Sequence, residues 1–281
     1  MLDVTISYVL TTRNKLPYLR EVLSRLLSNV EPGDEIVVVD GGSTDGTREY
    51  LERLFGEGKI HYLVSERDSG EAHGYNKGIL AARGEVIKLL TDDDAFHYPS
   101  IRRCSRLLVE HPDIDALGTD AGYVKDYLWW KRFRRPFSFC GLGLQIRRRS
   151  IPLIGLLSTC NMRVDLEYAY RLTSSKASLA WFTGSCYRRF FNPQSNSNRY
   201  WNMYREHSKC LRLYRPQAYL LRFRTWWMPY LIGVKRLVVR RRSILQKDFS
   251  QGAIRQWFCD ADREMELANQ SDPGEFLLPF S

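Results

Sequence analysis

Three adjacent carboxylates, Asp92, Asp93 and Asp94, follow directly after the short apolar segment 85–90. Neighbouring acids repel one another unless a cation or solvent screens them. In an open α/β sheet, ligands collect beyond the carboxyl ends of the strands, and Mg²⁺ is commonly held by one or two carboxylates plus the phosphates of its substrate. The triplet therefore fits two interpretations, a divalent-cation site at a strand end or an acidic loop in solvent.

A fourth acid, Asp40, ends the continuous apolar run 35–40, and such a run is typical of a parallel strand buried on both faces. Two strands that end in acids at one sheet edge can receive both ends of a nucleotide diphosphate. Asp40 would accept hydrogen bonds from the ribose or the base, and the triplet would hold the metal that neutralises the diphosphate. The alternative for Asp40 is a turn or helix-cap acid, which the second acidic strand end makes the weaker interpretation.

Alternating strands and helices position these acids. The spacing of apolar residues predicts strands over residues 4–10, 35–40, 59–64 and 85–90. It predicts helices over residues 19–27, from Thr47 onward, and over residues 72–83, with Gly84 as the C-cap of the third helix. This alternation predicts an α/β fold with a parallel sheet and right-handed crossovers.

Four blocks within residues 4–101 resemble family 2 glycosyltransferases with the GT-A fold. Residues 38–47 are similar to the nucleotide-binding turn of that family, residues 65–70 with Asn76-Lys77-Gly78 to its next blocks, and Thr91-Asp92-Asp93-Asp94 to its Asp-x-Asp metal motif. The resemblance implies a single mainly parallel nucleotide-binding sheet flanked by helices, with a mostly helical C-terminal extension. The gap to Pro99 is one residue longer than usual, which leaves two registers for the motif, Asp92 with Asp94 or a pairing centred on Asp93.

The resemblance implies transfer of a sugar from a nucleotide-sugar donor to an acceptor hydroxyl, with inversion at the anomeric carbon and with Mn²⁺ or Mg²⁺ as cofactor. A UDP-linked donor is expected, because Asp40 can pair with the imide of uracil. The acceptor is expected to be a glycan or a lipid-linked glycan. The residues assigned to the nucleotide are Thr11, Arg13, Asp40, Asp68, Asn76, Lys77, Asp92 and Asp93, and those assigned to the metal are Asp92 and Asp94.

A base that deprotonates the acceptor hydroxyl is expected in the second half of the chain. Asp165 and Glu167 alternate at the start of a predicted helix, where the helix dipole favours an anion. By themselves they would be a helix cap and a solvated side chain, but the segment resembles the acidic block that supplies the base in many family members. That resemblance assigns the base to Asp165, with Glu167 as second choice, and a diphosphate contact to Arg188 or Arg189.

The chain is predicted to consist of a catalytic domain over residues 1–205 and a helical, basic extension over residues 206–281. Within the catalytic domain, residues 1–101 form the nucleotide-sugar-binding half and residues 102–205 the acceptor half. The acceptor half contains a stretch of aromatic and basic residues, 123–149. That stretch fits either sugar and phosphate binding or a set of core aromatics with a basic rim in solvent.

The C-terminal region is rich in arginine and aromatic residues, and the whole chain has a net charge of +10. No window reaches the roughly 20 uncharged apolar residues of a membrane-spanning helix. Residues 222–242 suit either a helix at an anionic membrane surface or an amphipathic helix packed on the catalytic domain. The acidic residues after Gln251 predict a further helix, and residues 271–281 predict an irregular terminus.

Composition and motifs argue against other classes of protein. No basic n-region precedes the first strand, so no signal peptide is expected, and the six cysteines lack the spacing of a zinc site or a disulfide framework. A cytoplasmic location is expected, with peripheral association at the inner face of the cell membrane. A nucleic-acid-binding protein would carry a recognition motif, and a nucleotidyltransferase would carry a Gly-rich loop where this chain has Thr11-Thr12-Arg13-Asn14. Nucleic acid is therefore not an expected partner.

Overall fold

The computed structural model describes residues 4–120, 143–160, 164–190, 200–217, 219–220, 223, 225–228, 230–231 and 250–278. The strands are β1 (Ile6–Thr12), β2 (Glu35–Asp40), β3 (Tyr62–Ser65), β4 (Val86–Leu90), β5 (Ala95–Phe96), β6 (Ala116–Asp120), β7 (Gln145–Arg147), β8 (Leu179–Ser185), β9 (Tyr187–Arg188) and β10 (Phe276–Leu277). The α-helices are α1 (Leu16–Leu27), α2 (Thr47–Gly56), α3 (Glu71–Ala81), α4 (Tyr98–Glu110), α5 (Ile151–Ile154), α6 (Val164–Ser174), α7 (Tyr200–Tyr214) and α8 (Gln251–Ser271).

Most of the described strands form one sheet in the order β10-β8-β6-β7-β4-β1-β2-β3. The half made of β4, β1, β2 and β3 is parallel, whereas β7 and β10 run antiparallel to their neighbours. The parallel strands form as predicted because continuous apolar runs can be buried on both faces, and every residue of β1 is buried. The predicted α/β fold with a mainly parallel sheet is confirmed, and the acidic ends of β2 and β4 lie on either side of the end of β1.

Helices cover both faces of the sheet, because successive side chains of a strand point to opposite faces. Tyr8 and Leu10 of β1 point into a core that contains buried residues of α1, α2, α4 and α8. Val9 points to the other face and packs with buried residues of α3, α5 and α6. The edge of the sheet where β1, β2 and β4 end is therefore held between two packed layers of helices.

Helix α8 returns from the end of the chain to this core. Its residues Ile254, Phe258 and Met265 are buried in the cluster that also contains the strands, and Asp262 accepts a hydrogen bond from Arg25 Nε at 2.7 Å. The helix predicted from the acidic residues after Gln251 is confirmed. The division of the chain at residue 205 stays a prediction, but α8 shares its core with the catalytic strands.

Three local predictions were wrong. The third strand begins at Tyr62 rather than at residue 59, and residues 271–281 include β10, which pairs with β8. Helix α3 ends at Ala81, and its C-cap residue Ala82 is extended, with φ −62° and ψ 134°. Gly84 is not the cap but passes close to β1, where an added Cβ would lie 2.7 Å from the backbone nitrogen of Ser7.

Two stretches that stand out in the sequence lie largely outside the described residues. Most of residues 123–149 do, and so do most of residues 222–242. In the described part of the first, Arg147 is buried and donates to the carbonyl oxygens of Ile114 and His111, both at 3.0 Å, which is a structural role. No helix of the described ranges combines the length and the apolar character needed to cross a membrane.

Candidate active site

The turns that follow β1 and β2 are locked together. Asn14 has a left-handed backbone with φ 53°, and its side-chain oxygen accepts a hydrogen bond from the Thr44 amide at 2.8 Å. The Asn14 amide donates to Ser43 Oγ at 2.8 Å. The parallel register places Thr12 beside Asp40 at the ends of these strands. The two turns therefore form one continuous rim at the carboxyl edge of the sheet.

Asp40 is fully buried at this rim and is held by the residues around its own turn. Its carboxylate accepts hydrogen bonds from the Ser43 amide at 3.1 and 3.2 Å, from the Ser65 hydroxyl at 2.6 Å, and from the Ser43 hydroxyl. These hydrogen bonds satisfy the buried carboxylate oxygens. Asp40 thus stabilises its own turn, which is the alternative considered from the sequence. Its contact with a ribose or base stays a prediction.

A narrow gap separates the turn after β2 from the start of α3. A Cβ on Gly41 would lie 2.7 Å from Asp68 Oδ2, and a Cβ on Gly74 would lie 3.0 Å from Thr11 Cγ2. Only glycine allows such close approach at both places. The structure brings Thr11 and Asp68 together at this gap, while Arg13 is exposed at the rim.

The acidic triplet after β4 is buried, with 6–7% of each residue exposed. Lys15, just before α1, donates to Asp92 Oδ1 at 3.0 Å and to Asp93 Oδ2 at 2.6 Å. Burial raises the pKa of Asp92, although Lys15 acts in the opposite direction. Two of the three buried carboxylates thus share one ammonium group. Sequence reasoning missed Lys15, because its partners lie 77 and 78 residues away along the chain.

Asp94 is held differently from its two neighbours. Its Oδ2 accepts a hydrogen bond from the Thr91 hydroxyl at 2.7 Å, and its Oδ1 accepts one from the Phe190 amide at 2.7 Å. Burial, together with the charge of Asp93, raises the pKa of Asp94 to about 7. The ionised form of Asp94 is therefore unfavourable here until a further positive charge balances it.

The triplet fits a hard divalent cation that is shared with a substrate. No group of three or more His, Cys, Asp or Glu side chains within the described ranges is placed to hold a metal alone. A cation bound partly by phosphates needs only one or two carboxylates, and Asp92 with Asp94 is the pair predicted for that role. The buried Thr12 hydroxyl lies beside Asp92 but forms no well-aligned hydrogen bond with the described residues.

We expect Lys15→Met to make the metal-free protein less stable and its response to Mn²⁺ larger. The substitution removes the ammonium group that neutralises Asp92 and Asp93, at a cost of about 1.5–3 kcal/mol for a charge-assisted hydrogen bond. Mn²⁺ would then meet no competing cation at these two carboxylates. Thermal unfolding with and without Mn²⁺ measures both effects.

Lys77→Met is the matched control, because Lys77 also forms a 2.6 Å ion pair, with Glu66, but away from the triplet. Its melting temperature should rise with Mn²⁺ as much as that of the unsubstituted protein. An equal Mn²⁺ response in the Lys15 and Lys77 variants would contradict competition between Lys15 and the metal.

The two acids at the start of α6 have different surroundings. Glu167 is buried, and its oxygens accept hydrogen bonds from Arg171 at 3.1 and 3.3 Å and from the Tyr214 hydroxyl at 2.5 Å. Glu167 therefore ties α6 to α7. Asp165 is half-buried in the first turn of α6. This geometry favours Asp165 over Glu167 as the group that reaches an acceptor, and the catalytic role of either residue stays a prediction.

Glu71, the first residue of α3, is exposed and lies within electrostatic range of two other acids. Partial desolvation, and then the charges of Asp165 and Asp92, raise the pKa of Glu71. One carboxyl thus responds both to the triplet and to the start of α6. Sequence reasoning missed Glu71, whose signal was its position at the start of the helix that follows Gly70.

Asn76 and Lys77, both assigned to the nucleotide from the sequence, have other partners in the structure. The side-chain Nδ2 of Asn76 donates to the backbone carbonyl of Leu157, and its Oδ1 accepts from the backbone N–H of Leu157, both at 2.8 Å. Lys77 makes its ion pair with Glu66. Asn76 therefore fastens α3 to the loop before α6, and nucleotide contacts of these two residues stay predictions.

Arg188 and Arg189 have different electrostatic partners. Arg188, in β9, forms an ion pair with Glu264 of α8. Arg189 is exposed, and its charge acts on Asp94 by lowering the pKa of that carboxyl, against the larger effect of burial. Of the two arginines assigned to the diphosphate, Arg189 is the one whose charge acts on the triplet.

Comparisons with known proteins agree with this geometry. Residues 7–171 match the family model described as Glycosyl transferase family 2. The putative teichuronic acid biosynthesis glycosyltransferase TuaG of Bacillus subtilis is 27% identical over 106 residues, which are 37% of this chain and 42% of that protein. Glycosyltransferase GlyG of Streptococcus pneumoniae is 33% identical over 90 residues, which are 32% of this chain and 30% of that protein. The chain thus aligns with less than half the length of these relatives.

Solved structures show the same fold. The mannosyltransferase PcManGT from Pyrobaculum calidifontis, in complex with GDP-Man and Mn2+, superposes with a TM-score of 0.67 at 14% identity, covering 97% of this chain and 88% of that one. Residues 1–349 of TarS from S. aureus, in complex with UDP-GlcNAc, give a TM-score of 0.53 at 15% identity, covering 73% and 65%. These likenesses establish the GT-A fold. Because the family model covers more than half of the 281 residues, the chain belongs to glycosyl transferase family 2.

Proposed function

We propose that this protein transfers a sugar from a nucleotide-sugar donor to an acceptor hydroxyl, with inversion at the anomeric carbon and with the help of a divalent metal. The observation that carries the proposal is the grouping of acids at one sheet edge. The acidic ends of β2 and β4 flank β1 at that edge, and Asp165 and Asp92 both act electrostatically on Glu71. A leaving-group site and an acid that can act as a base would thus serve one substrate.

The leaving-group side is proposed to be the triplet with its neighbours. Mn²⁺ or Mg²⁺ held by Asp92 and Asp94 would neutralise the diphosphate as the sugar departs. The exposed Arg189, whose charge acts on Asp94, would donate to phosphate oxygens from this edge. Support comes from the burial of three adjacent carboxylates, two of which share the single ammonium group of Lys15, and from the Mn2+ named for the mannosyltransferase structure.

The acceptor side is proposed to be the start of α6. Asp165 accepts the proton of the acceptor hydroxyl as that oxygen attacks the anomeric carbon, and the nucleoside diphosphate leaves from the opposite face. Glu167 holds α6 in place through Arg171 and Tyr214. The acceptor is proposed to be a glycan or a lipid-linked glycan, in line with the name of the B. subtilis relative.

A UDP-linked donor is proposed because Asp40 suits the uracil imide, while solved relatives of this fold carry both GDP-Man and UDP-GlcNAc. The decisive experiment is a panel of nucleotide sugars, scored by metal-dependent thermal stabilisation and by slow hydrolysis with Mn²⁺. One donor should stabilise and be hydrolysed only when metal is present. No stabilisation by any nucleotide sugar with metal would overturn the proposed function.

We expect Asp40→Ala to weaken binding of the nucleoside diphosphate about 10–100-fold, since loss of a hydrogen bond to a charged group costs about 1.5–3 kcal/mol. Calorimetric titration in the presence of metal measures this loss. Ser65→Ala is the control, because it removes one donor to Asp40 and leaves the charge in place. If a folded Asp40 variant binds the nucleoside diphosphate as tightly as the unsubstituted protein does, Asp40 only stabilises its turn and does not contact the nucleotide.

Membrane contact is proposed for residues 222–242, which would bring the proposed active site to a lipid-linked acceptor at the inner face of the cell membrane. The support is an unusual exposure of large apolar side chains in the described part of this segment. Phe223, Trp226, Tyr230 and Leu231 are each more than half exposed. Tryptophan and tyrosine at such positions suit the boundary between headgroups and acyl chains.

A further inference from the structure

Helix α7 carries a basic stripe on one face. Arg205, Lys209 and Arg212 follow one another at helical spacing and are exposed. None of them forms an ion pair with a carboxylate of the described residues. The opposite face of α7 packs on α6, where His207 Nε2 lies 2.7 Å from the Tyr170 hydroxyl and Tyr214 donates to Glu167. The basic stripe therefore points away from the catalytic helix.

An aromatic stripe faces this basic one. Residues 219, 220, 223, 225–228, 230 and 231 are helical, and Tyr219, Phe223, Trp226 and Tyr230 recur at helical spacing. The ring centroids of Phe223 and Trp226 are 6.1 Å apart, and those of Trp226 and Tyr230 are 6.3 Å apart. Soluble proteins rarely leave such a continuous apolar surface uncovered unless it binds something.

The two stripes line a cavity of about 690 Å³, here called the basic–aromatic cleft. Its described lining consists of basic, aromatic and hydroxyl-bearing residues and contains no carboxylate. Its size is that of a small-molecule site. One wall can therefore take an anion, and the other can take an apolar chain or ring.

We propose that the basic–aromatic cleft binds the phosphate head of a lipid, with the first part of the hydrocarbon chain against the aromatic wall. Guanidinium and ammonium groups form charge-assisted hydrogen bonds with phosphate oxygens. Three exposed leucines, Leu213, Leu220 and Leu231, lie on the two helical segments that form the cleft, outside its lining. Aliphatic surface of this kind suits an acyl or isoprenoid chain, whereas single-stranded nucleic acid would use the basic residues and the rings but not the leucines.

The position of the cleft gives this site a role in the proposed reaction. Only the thickness of α7 separates its basic stripe from the contacts to α6, which carries Asp165. A lipid phosphate in the cleft would hold a membrane-anchored acceptor beside the catalytic domain. This role rests on the proposed transferase function, whereas lipid binding itself does not.

The test is direct binding of lipid phosphates to the full chain. Farnesyl phosphate, soluble dihexanoyl phosphatidylglycerol and inorganic phosphate are titrated separately, and vesicles of phosphatidylcholine with and without phosphatidylglycerol are sedimented with the protein. Both lipid phosphates should bind, and inorganic phosphate should bind far more weakly because it leaves the aromatic wall empty. Tighter binding of farnesyl phosphate than of the phospholipid would identify an isoprenoid-linked acceptor as the source, and the reverse order would identify the membrane.

Two sets of variants locate the site. Replacing Arg205, Lys209 and Arg212 together by Gln should weaken lipid-phosphate binding roughly 100-fold, at about fivefold for each basic residue. Trp226→Ala should weaken both lipids and leave inorganic phosphate unchanged. The matched control replaces Arg48, Arg53 and Lys59 of the α2 region by Gln, which removes the same charge from exposed positions elsewhere and should leave lipid binding unchanged.

Equal loss in the control and in the α7 triple variant would overturn the site in favour of a general charge effect. Binding to neutral vesicles as strong as to anionic ones would also overturn it, and so would tighter binding of a single-stranded oligonucleotide than of either lipid. Failure of the proposed transferase function would appear instead as loss of nucleotide-sugar binding. The α7 triple variant should keep that binding, so the two proposals fail separately.

Discussion

Asp94→Asn should abolish metal-dependent turnover of the nucleotide sugar while leaving the fold intact. Asn can still accept the hydrogen bond that the Phe190 amide gives to Oδ1, but it supplies no charge to a metal. Charge stabilisation by a metal at the leaving group is worth several kcal/mol, so turnover should fall by roughly 10³-fold or more. Hydrolysis of the preferred donor with Mn²⁺, measured alongside Mn²⁺ binding, gives the result.

The same variant should stabilise the metal-free protein at neutral and higher pH. The pKa of Asp94 in the folded state, about 7, lies above its ordinary value of 3.8, so the folded state binds the proton more tightly. Ionisation therefore lowers stability as pH rises between these values, and Asn removes that loss. Thermal melts over this pH range provide the check. Full turnover in Asp94→Asn, or in the presence of EDTA, would remove Asp94 from the metal site.

Asp165→Asn should cut sugar transfer by roughly 10²–10⁴-fold, the usual contribution of a general base, and leave donor affinity unchanged. Asp165 lies in the first turn of α6, and its charge, like that of Asp92, acts on Glu71. We expect its carboxylate to take the acceptor proton without contacting the nucleotide. Transfer rates with a saturating donor, together with calorimetric donor affinity, separate the two effects.

Glu167→Gln is the neighbouring control. Glu167 is engaged by Arg171 and Tyr214, so its substitution should lower the melting temperature more than it lowers the transfer rate per folded molecule. If Glu167→Gln abolishes transfer and Asp165→Asn does not, the base is Glu167.

Local sequence patterns predicted the framework of the fold. The runs that became β1, β2 and β4 are mainly apolar because each strand is buried on both faces. The acids stand at the ends of β2 and β4 because a buried strand interior disfavours them. Parallel pairing then brings those ends to one edge, so the neighbourhood of Asp40 and the triplet follows from pattern and topology together.

Local patterns failed where a helix end or a strand start depended on contacts made elsewhere. The local sequence predicts Gly84 as a helix cap. In the structure, glycine is needed there because the chain passes too close to the backbone of Ser7 for a side chain. The terminal strand β10 contains few residues and exists because β8 offers an unpaired edge. Neither partner is visible in the local sequence.

The roles of individual side chains were decided by partners distant in the chain. Asn76 pairs with the backbone of Leu157, 81 residues away, and Glu167 with Tyr214, 47 residues away. Each residue looked available for the substrate when only its own motif was considered. The tertiary contacts give both of them positioning roles and leave Asp165 as the more accessible acid.

The sequence by itself determined the family resemblance, the alternation of strands and helices, and the acidic strand ends, because these depend on residue types at short spacing. Only the tertiary structure placed Lys15 on the triplet, Glu71 within electrostatic range of Asp92 and Asp165, and the basic stripe of α7 opposite an aromatic one. Periodicity reports which face of an element is apolar or charged. Periodicity does not report which second element packs against that face, since this is fixed by packing of the whole chain.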